Sequence, residues 1–551
     1  MSISWSRNGV RAAVLAVATA CLATVGAAQP SSTTHPYRPT LDALHYDLTI
    51  VLPDSGARIT AQATIALRRS ASADTVMLDL LDLVVDSVAV NDRAARFVRD
   101  SATVRIAVPS VGDSLWVTVW YGGRVRDGLV VRRDTATGRW TAFGDNWPNR
   151  ARHWIPSIDH PSDKATVTWT VEAPSELTVV ANGLLVEETP LTGRSAGRTQ
   201  TVWHESKPIP TYLMVIGAAE MAMLSLGETA CGLAEHPGCV PQAVYVSPEL
   251  RDYVPGPFAD AGAMVTHFSR LIGPYPYEKL AHLQSATRFG GMENATAIFY
   301  SDAAFWQRSV GTGLIAHEIA HQWFGNAVTE REWAHLWLSE GFATYFAQLW
   351  AEHARGDSAL REGMRSMRTQ IIESEVTAQR PVIDTAQTDL MALLNSNSYQ
   401  KGGFTLHMLR AVVGDSAFFQ SLRAYFREHV HGTALTADFA RAAERAHGES
   451  LTWFFDQWLR RPGFAGVSTS WRYDDSARRV ILEVRQGSRW PPYRFPLTVA
   501  VRDSAGMERR VTVEVGAERE QRVTLPLALD RAPAELLIDP DVQLLATITT
   551  H

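Results

Sequence analysis

From His45 to about Met223 the chain alternates apolar and polar residues in short runs. "HYDLTIVL", "ARITAQATIAL", "LWVTVWY" and "KATVTWTVEA" each put every second side chain on one face, the period of a half-buried strand. "PDSG", "VND" and "VGDS" stand between such runs and read as turns. The pattern predicts an all-β region of about 180 residues. Near residue 230 the spacing changes. "PFADAGAMVTHFSRLIG", the run from Thr312 to Ala354, "DSALREGMRSMRTQIIESE" and "KGGFTLHMLRAVV" carry helical spacing, with a break expected at Gly325–Asn326. From about Phe464 to His551 alternation returns in "RRVILEVRQ", "FPLTVAVRD" and "RRVTVEV", which predicts a small β-sandwich.

The 551 residues suffice for several domains with sizeable cores. Hydrophobic content is 46% and net charge −6, with both signs interspersed and no basic block, so nucleic acid is not expected as a partner. The first 28 residues read as a secretory signal. Arg7 and Arg11 precede the apolar "AAVLAVATACLATV", and Gly26–Ala28 are small enough for cleavage before Gln29. The expectation is export to a periplasm or the medium. Lipoprotein anchoring through Cys21 ranks second, because no Leu stands three residues before it. No later stretch is long and apolar enough to span a bilayer. Cys231 and Cys239 would suit a small-loop disulfide in an oxidising compartment. The sequence carries no signal of oligomeric state.

"HEIAH" spans His317 to His321. On a helix, positions i and i+4 share a face, so both imidazoles can reach one metal, with Glu318 beside them. Glu340 follows His321 by nineteen residues, inside a second helical run, and an antiparallel pair of helices returns it over the histidines. Two His and one Glu with an open fourth position suits a catalytic zinc; a structural site is usually closed and rich in cysteine. Trp323, Trp333 and Trp337 are candidates to wall the site. Ahead of the motif lies "RFGGMENAT", a lone carboxylate, Glu293, next to a Gly-Gly step.

This combination resembles the gluzincin aminopeptidases, the family of aminopeptidase N and leukotriene hydrolase. H-E-x-x-H followed by Glu340 within "WLSEGFA", and "GGMEN" ahead of it, are similar to that family's two signatures. "SYQKGGFTLHML" is similar to its tyrosine segment, "FFDQWLRRPG" to the end of its catalytic domain, and "ARHWIPSIDHPSDKATVTWTV" to its N-terminal β-domain. The resemblance implies a multidomain α+β chain. Residues 1–28 would be the signal and 29–228 a saddle-like all-β domain. Residues 229–463 would form a thermolysin-like, mainly helical catalytic domain, and 464–551 a β-sandwich. The long helical C-terminal domain of the family's large members has no counterpart in this pattern, so a more open site is expected.

The resemblance further implies one zinc ion on His317, His321 and Glu340, with Glu318 as general base and Tyr399 as donor to the oxyanion. Gly290, Gly291, Met292, Glu293 and Asn294 would bind a peptide with a free N-terminus, Glu293 gripping its ammonium and the glycines admitting its backbone. The glutamine with which the family often helps hold the amine is missing from "FGDNWPNRAR", where Asp145 and Asn146 are the candidates to replace it. Two other functions compete. A zinc endopeptidase shares the histidine helix but has no use for an amine anchor, and a non-catalytic peptide-binding relative would be expected to lose a ligand or the base.

Overall fold

The computed structural model describes residues 38–70, 74–109, 112–230 and 240–551. The signal stretch with Cys21, and the Cys231–Cys239 pair, lie outside the described residues.

Alternation does what it predicts in the first domain. Along Ser114–Arg124, Leu115, Val117, Val119 and Tyr121 are buried while Trp116 and Trp120 face outward. Leu41–Val51, Arg58–Arg69 and Lys164–Pro174 repeat the pattern, and together they build the middle of an eight-stranded sheet. Leu41–Val51 pairs antiparallel with Arg58–Arg69 and parallel with Lys164–Pro174. A four-stranded sheet that includes Trp140–Gly144 and Ile216–Ala219, and a three-stranded one, complete the β-domain.

The second domain starts on a five-stranded sheet. Its inner strand, Leu280–Ser285, is buried at every position and runs parallel to Val240–Val246 and Ala297–Ser301. A continuous apolar run of this kind suits a strand covered on both faces. Ala222–Thr229 pairs with Val240–Val246 at one end of this sheet. The seam between the domains therefore falls before residue 222, not at the 228/229 boundary read from the texture. Pairing partner, not alternation, decides which sheet a strand joins. At the opposite edge, Gly291–Met292 pairs antiparallel with Phe299–Tyr300 and has no strand partner on its other side among the described residues.

The helices follow. Thr312–His321 ends near Gly325, whose φ of 113° reverses the chain. The next helix is Trp337–Arg355. The expected helix over 332–354 thus begins five residues later, because Val328–Glu330 is a strand paired with Gly432–Ala434 and Trp333–His335 is a short 3-10 turn. Asn397–Lys401 forms a single π-helical turn that leads into Gly402–His429. The C-terminal region is the expected sandwich, of one four-stranded and one three-stranded sheet. Among the described residues no helix is long and apolar enough to cross a membrane.

One close contact sets the distance between the Glu340 helix and the Tyr399 turn. A Cβ on Gly341 would lie 2.9 Å from backbone atoms of Gly402, and one on Gly402 would lie 3.1 Å from the Gly341 Cα. Backbone meets backbone there, so the two segments cannot separate to make room locally. Gly341→Ala is expected to lower stability by about 1–3 kcal/mol in denaturant titration, the cost of overpacking; stability equal to the parent chain would show that the contact is loose.

Candidate metal centre

The histidine helix places His317 and His321 one turn apart, and the following helix delivers Glu340 between them. His317 Nε2 lies 3.0 Å from His321 Nε2 and 3.2 Å from Glu340 Oε2, and His321 Nε2 lies 3.3 Å from the same oxygen. Three ligand atoms thus form a nearly equilateral triangle. A tetrahedral ion with ligands at about 2.0–2.1 Å sets those ligands about 3.3 Å apart, so the residues fit zinc. Two imidazole nitrogens facing each other at 3.0 Å cannot both carry hydrogen, and a cation between them resolves the clash.

The electrostatics agree. Burial by itself disfavours a charged His321, yet the Glu293 and Glu340 carboxylates outweigh it and push the imidazole up to about 10. Burial lowers the neighbouring His317. Burial alone would raise Glu340, but His321 and hydrogen bonds from both histidines hold it well below the usual carboxylate range. The cluster asks for positive charge at the point where the three ligand atoms converge.

The ligands are themselves held. His321 Nδ1 is 3.1 Å from the Phe324 carbonyl, to which it can donate, and 3.1 Å from Ser339 Oγ. A Cβ on Gly325 would strike Ser339 Oγ at 2.3 Å, so this turn admits only glycine. Tyr399 Oη donates to Glu340 Oε1 at 2.8 Å, and its ring stacks on His317 at 12° between planes. Burial raises the Tyr399 hydroxyl well above its ordinary pKa, so it stays a donor at neutral pH. A single π-helical turn of this type frequently marks a functional site.

Glu318 is buried, with Oε2 lacking a hydrogen-bond partner among the described residues. Burial, with Glu293 and Glu340 adding, pushes its carboxyl up. A Cβ on Gly291 would sit 2.0 Å from Glu318 Oε1, so the second glycine of "GGMEN" makes room for this carboxylate. Carboxylate atoms of Glu293 and Glu318 and a ring nitrogen of His321 all lie within 4.8 Å of one another. Burial raises Glu293 to about 7. Gly290 is exposed beside it, and Met292 and Asn294 are buried.

The structure corrects three expectations. Trp323 and Trp337 are core residues: Trp323 packs on Tyr275 and donates to the Gly273 carbonyl, and Trp337 donates to Thr436. Only Trp333 of the three stands toward the "GGMEN" side, where it meets Trp147, which in turn touches Phe289. Asn146 does not replace the missing glutamine. Its amide donates to the Thr211 and Met214 carbonyls and its oxygen accepts from Trp154, which occupies it fully. Asp145 is paired with Arg150 at 2.6 Å and with Arg288 at 3.1 Å, so its charge is already matched.

Three polar residues were passed over in the sequence. Gln322 and Asn326 donate to the Glu293 carbonyl at 3.0 and 2.6 Å and so hold the Glu293 backbone. Glu330 is a further buried carboxylate, both oxygens without partners among the described residues, and burial pushes it well up. The available signal was polarity itself, since apart from Gly325 and Thr329 the rest of the stretch 322–330 is apolar.

Two histidines one helical turn apart and a glutamate from the next helix, with a carboxylate beside them, define an H-E-x-x-H metal-dependent hydrolase site. A family model described as "Peptidase family M1 domain" matches residues 261–458, and one described as "Peptidase M1 N-terminal domain" matches residues 42–213. The chain belongs to peptidase family M1, whose site carries a single catalytic zinc. "Aminopeptidase M1" of Arabidopsis thaliana is 30% identical over 58% of this chain and 37% of its own length. "Aminopeptidase N" of Streptomyces lividans is 25% identical over 93% of this chain and 63% of its own length. The chain thus spans between about a third and two thirds of these relatives. Among solved structures, a mutant of the M1 zinc metallopeptidase from Deinococcus radiodurans bound to a Tyr-Ser-Ala substrate is 26% identical, covers 76% of this chain and 94% of its own, and superposes with a TM-score of 0.66.

Ser339→Ala is expected to weaken zinc affinity by about 10-fold, the lower end for loss of a ligand-orienting contact, in a competition titration with a chromogenic chelator. An unchanged affinity would leave the Phe324 carbonyl as sole support of His321.

Proposed function

We propose that the chain is a zinc aminopeptidase that removes the first residue from peptides with a free N-terminus. The observation that carries this reading is Glu293, a buried carboxylate held within 4.8 Å of both Glu318 and His321 at the end of an edge strand. A peptide's α-ammonium, with a pKa of about 7.7–8.0, is largely charged at neutral pH and would pair with Glu293. The open side of Gly291–Met292 offers backbone groups for the substrate to extend the sheet, which suits a peptidase tolerant of sequence. With the amine fixed, only the first peptide bond reaches the metal ligands.

His317, His321 and Glu340 would hold the zinc, which would supply Lewis acidity and bring water within range of deprotonation near pH 7. Glu318 accepts the proton of the attacking water at its unpartnered oxygen and passes it to the leaving amine. Tyr399 Oη turns from Glu340 toward the oxyanion and donates to it. Trp147, Phe289 and Trp333 offer an aromatic wall on the "GGMEN" side of the first residue. The N-terminal stretch through residue 28 supports an exported enzyme, acting in a periplasm or outside the cell.

The test pairs an aminoacyl-anilide with its N-acetylated form, each with and without excess chelator. Cleavage of the free amine only, abolished by the chelator, is the expected result. Equal rates on both substrates would turn the reading toward an endopeptidase, and cleavage of neither toward a non-catalytic binder. Independently, Tyr399→Phe is expected to lower kcat by about 10²–10³ at unchanged zinc content, the scale of one lost oxyanion donor. A kcat within about twofold of the parent would remove Tyr399 from the mechanism.

A further inference from the structure

Lys164 is the first residue of Lys164–Pro174, a central strand of the N-terminal sheet, yet its ammonium lies in the catalytic domain. It donates to the carbonyls of Asn326 at 2.9 Å, Ala327 at 3.0 Å and Gly432 at 3.1 Å. Three donors meet three carbonyls, which satisfies the ammonium completely. The first two carbonyls belong to the turn between the histidine helix and Val328–Glu330. That turn carries two other functional contacts: the Phe324 carbonyl that orients His321, and the Asn326 amide that donates to the Glu293 carbonyl at 2.6 Å. A second group of the N-terminal domain reaches the same turn, where Tyr212 Oη donates to the Gly325 carbonyl at 3.2 Å.

Asn326 Oδ1 has no partner among the described residues, so its side chain is positioned through Nδ2 and through its own backbone. Lys164 holds that backbone. The path runs from Lys164 Nζ to the Asn326 carbonyl, through the Asn326 side chain to the Glu293 carbonyl, and so to the buried carboxylate. Glu330, unpartnered and on the strand that follows, is the acidic group that faces the Lys164 charge. A side chain without a donor at position 164 would therefore take this partner from the Ala327 and Gly432 carbonyls and leave the Asn326 carbonyl with Thr329 Oγ1 alone, at 3.0 Å.

We propose that Lys164 is a positioning residue for amine recognition: through the Asn326 turn it sets Glu293 at the distance that binds the substrate ammonium. The proposal rests on the aminopeptidase reading of Glu293. It also assigns the N-terminal β-domain a part in the site that does not require contact with the substrate.

The test uses the zinc-loaded full chain and two ligands, leucine hydroxamate and 4-methylpentanehydroxamic acid, which carry the same zinc-binding group and differ by one amine. Their Kd values, measured by calorimetry, give a ratio in which zinc binding cancels. The parent chain is expected to favour the amino ligand, and Lys164→Met to reduce that preference by about 10-fold with zinc content unchanged, the scale of losing an outer support of a site. Asn326→Ala is expected to reduce it similarly, and the double variant to lose no more than about twofold beyond either single one, since both act on one path. If Lys164→Met does not fold, Lys164→Gln, which keeps a donor on a shorter stem, is expected to show a smaller loss in the same direction. A parent-like ratio in the folded Lys164 variant, or losses that multiply in the double variant, would overturn the proposal. A ratio near one in the parent chain would instead reject the aminopeptidase reading on which it rests.

Discussion

Negative charge buried around His317 and His321 is the constraint on which the rest of the site depends. Glu293, Glu318, Glu330 and Glu340 are all removed from water. Carboxylates in an apolar interior are costly unless matched by positive charge or protonated. Burial pushes the carboxyls of Glu293, Glu318 and Glu330 up, and only Glu340, hydrogen-bonded by both histidines, is held down. A cation among the three converging ligand atoms would offset this burial, which ties the state of the carboxyls to the metal.

Close backbone approach is the second theme. Gly291 admits the Glu318 carboxylate, Gly325 turns the chain under His321, and Gly341 lies on Gly402 beneath the Tyr399 turn. None of these glycines carries chemistry. Each removes the Cβ that would otherwise push a functional group out of reach. The edge strand Gly291–Met292 adds to this, because a strand at the end of a sheet offers backbone groups that another extended chain could pair with.

Much of this was legible in the sequence because it is local. Alternation located the N-terminal sheet and the C-terminal sandwich, and the i, i+4 spacing of His317 and His321 needs only one turn of helix. The joining of Glu340 and Tyr399 to them was read from motif order. What could not be read there depends on non-local pairing. The Ala222–Thr229 strand looks like its predecessors but bonds to the other domain, and the aromatic residues of the motif divide between core and wall according to neighbours far away in sequence.

The sequence by itself determined the class of site, since two histidines at i and i+4 with a glutamate beside the first follow from residue type and one turn of helix; Glu340, Tyr399 and Glu293 were joined to them by the order of motifs the chain shares with a family. Only the tertiary structure decided how Glu293 is held. Asp145 and Asn146, near in motif order, are spent on Arg150, Arg288 and backbone carbonyls. Gln322 and Asn326 donate to the Glu293 carbonyl instead, and Lys164 donates to the Asn326 carbonyl. The physical reason is that a hydrogen bond is specified by where atoms meet in space. Lys164 and Asn326 lie 162 positions apart, a separation at which spacing along the chain carries no information about contact.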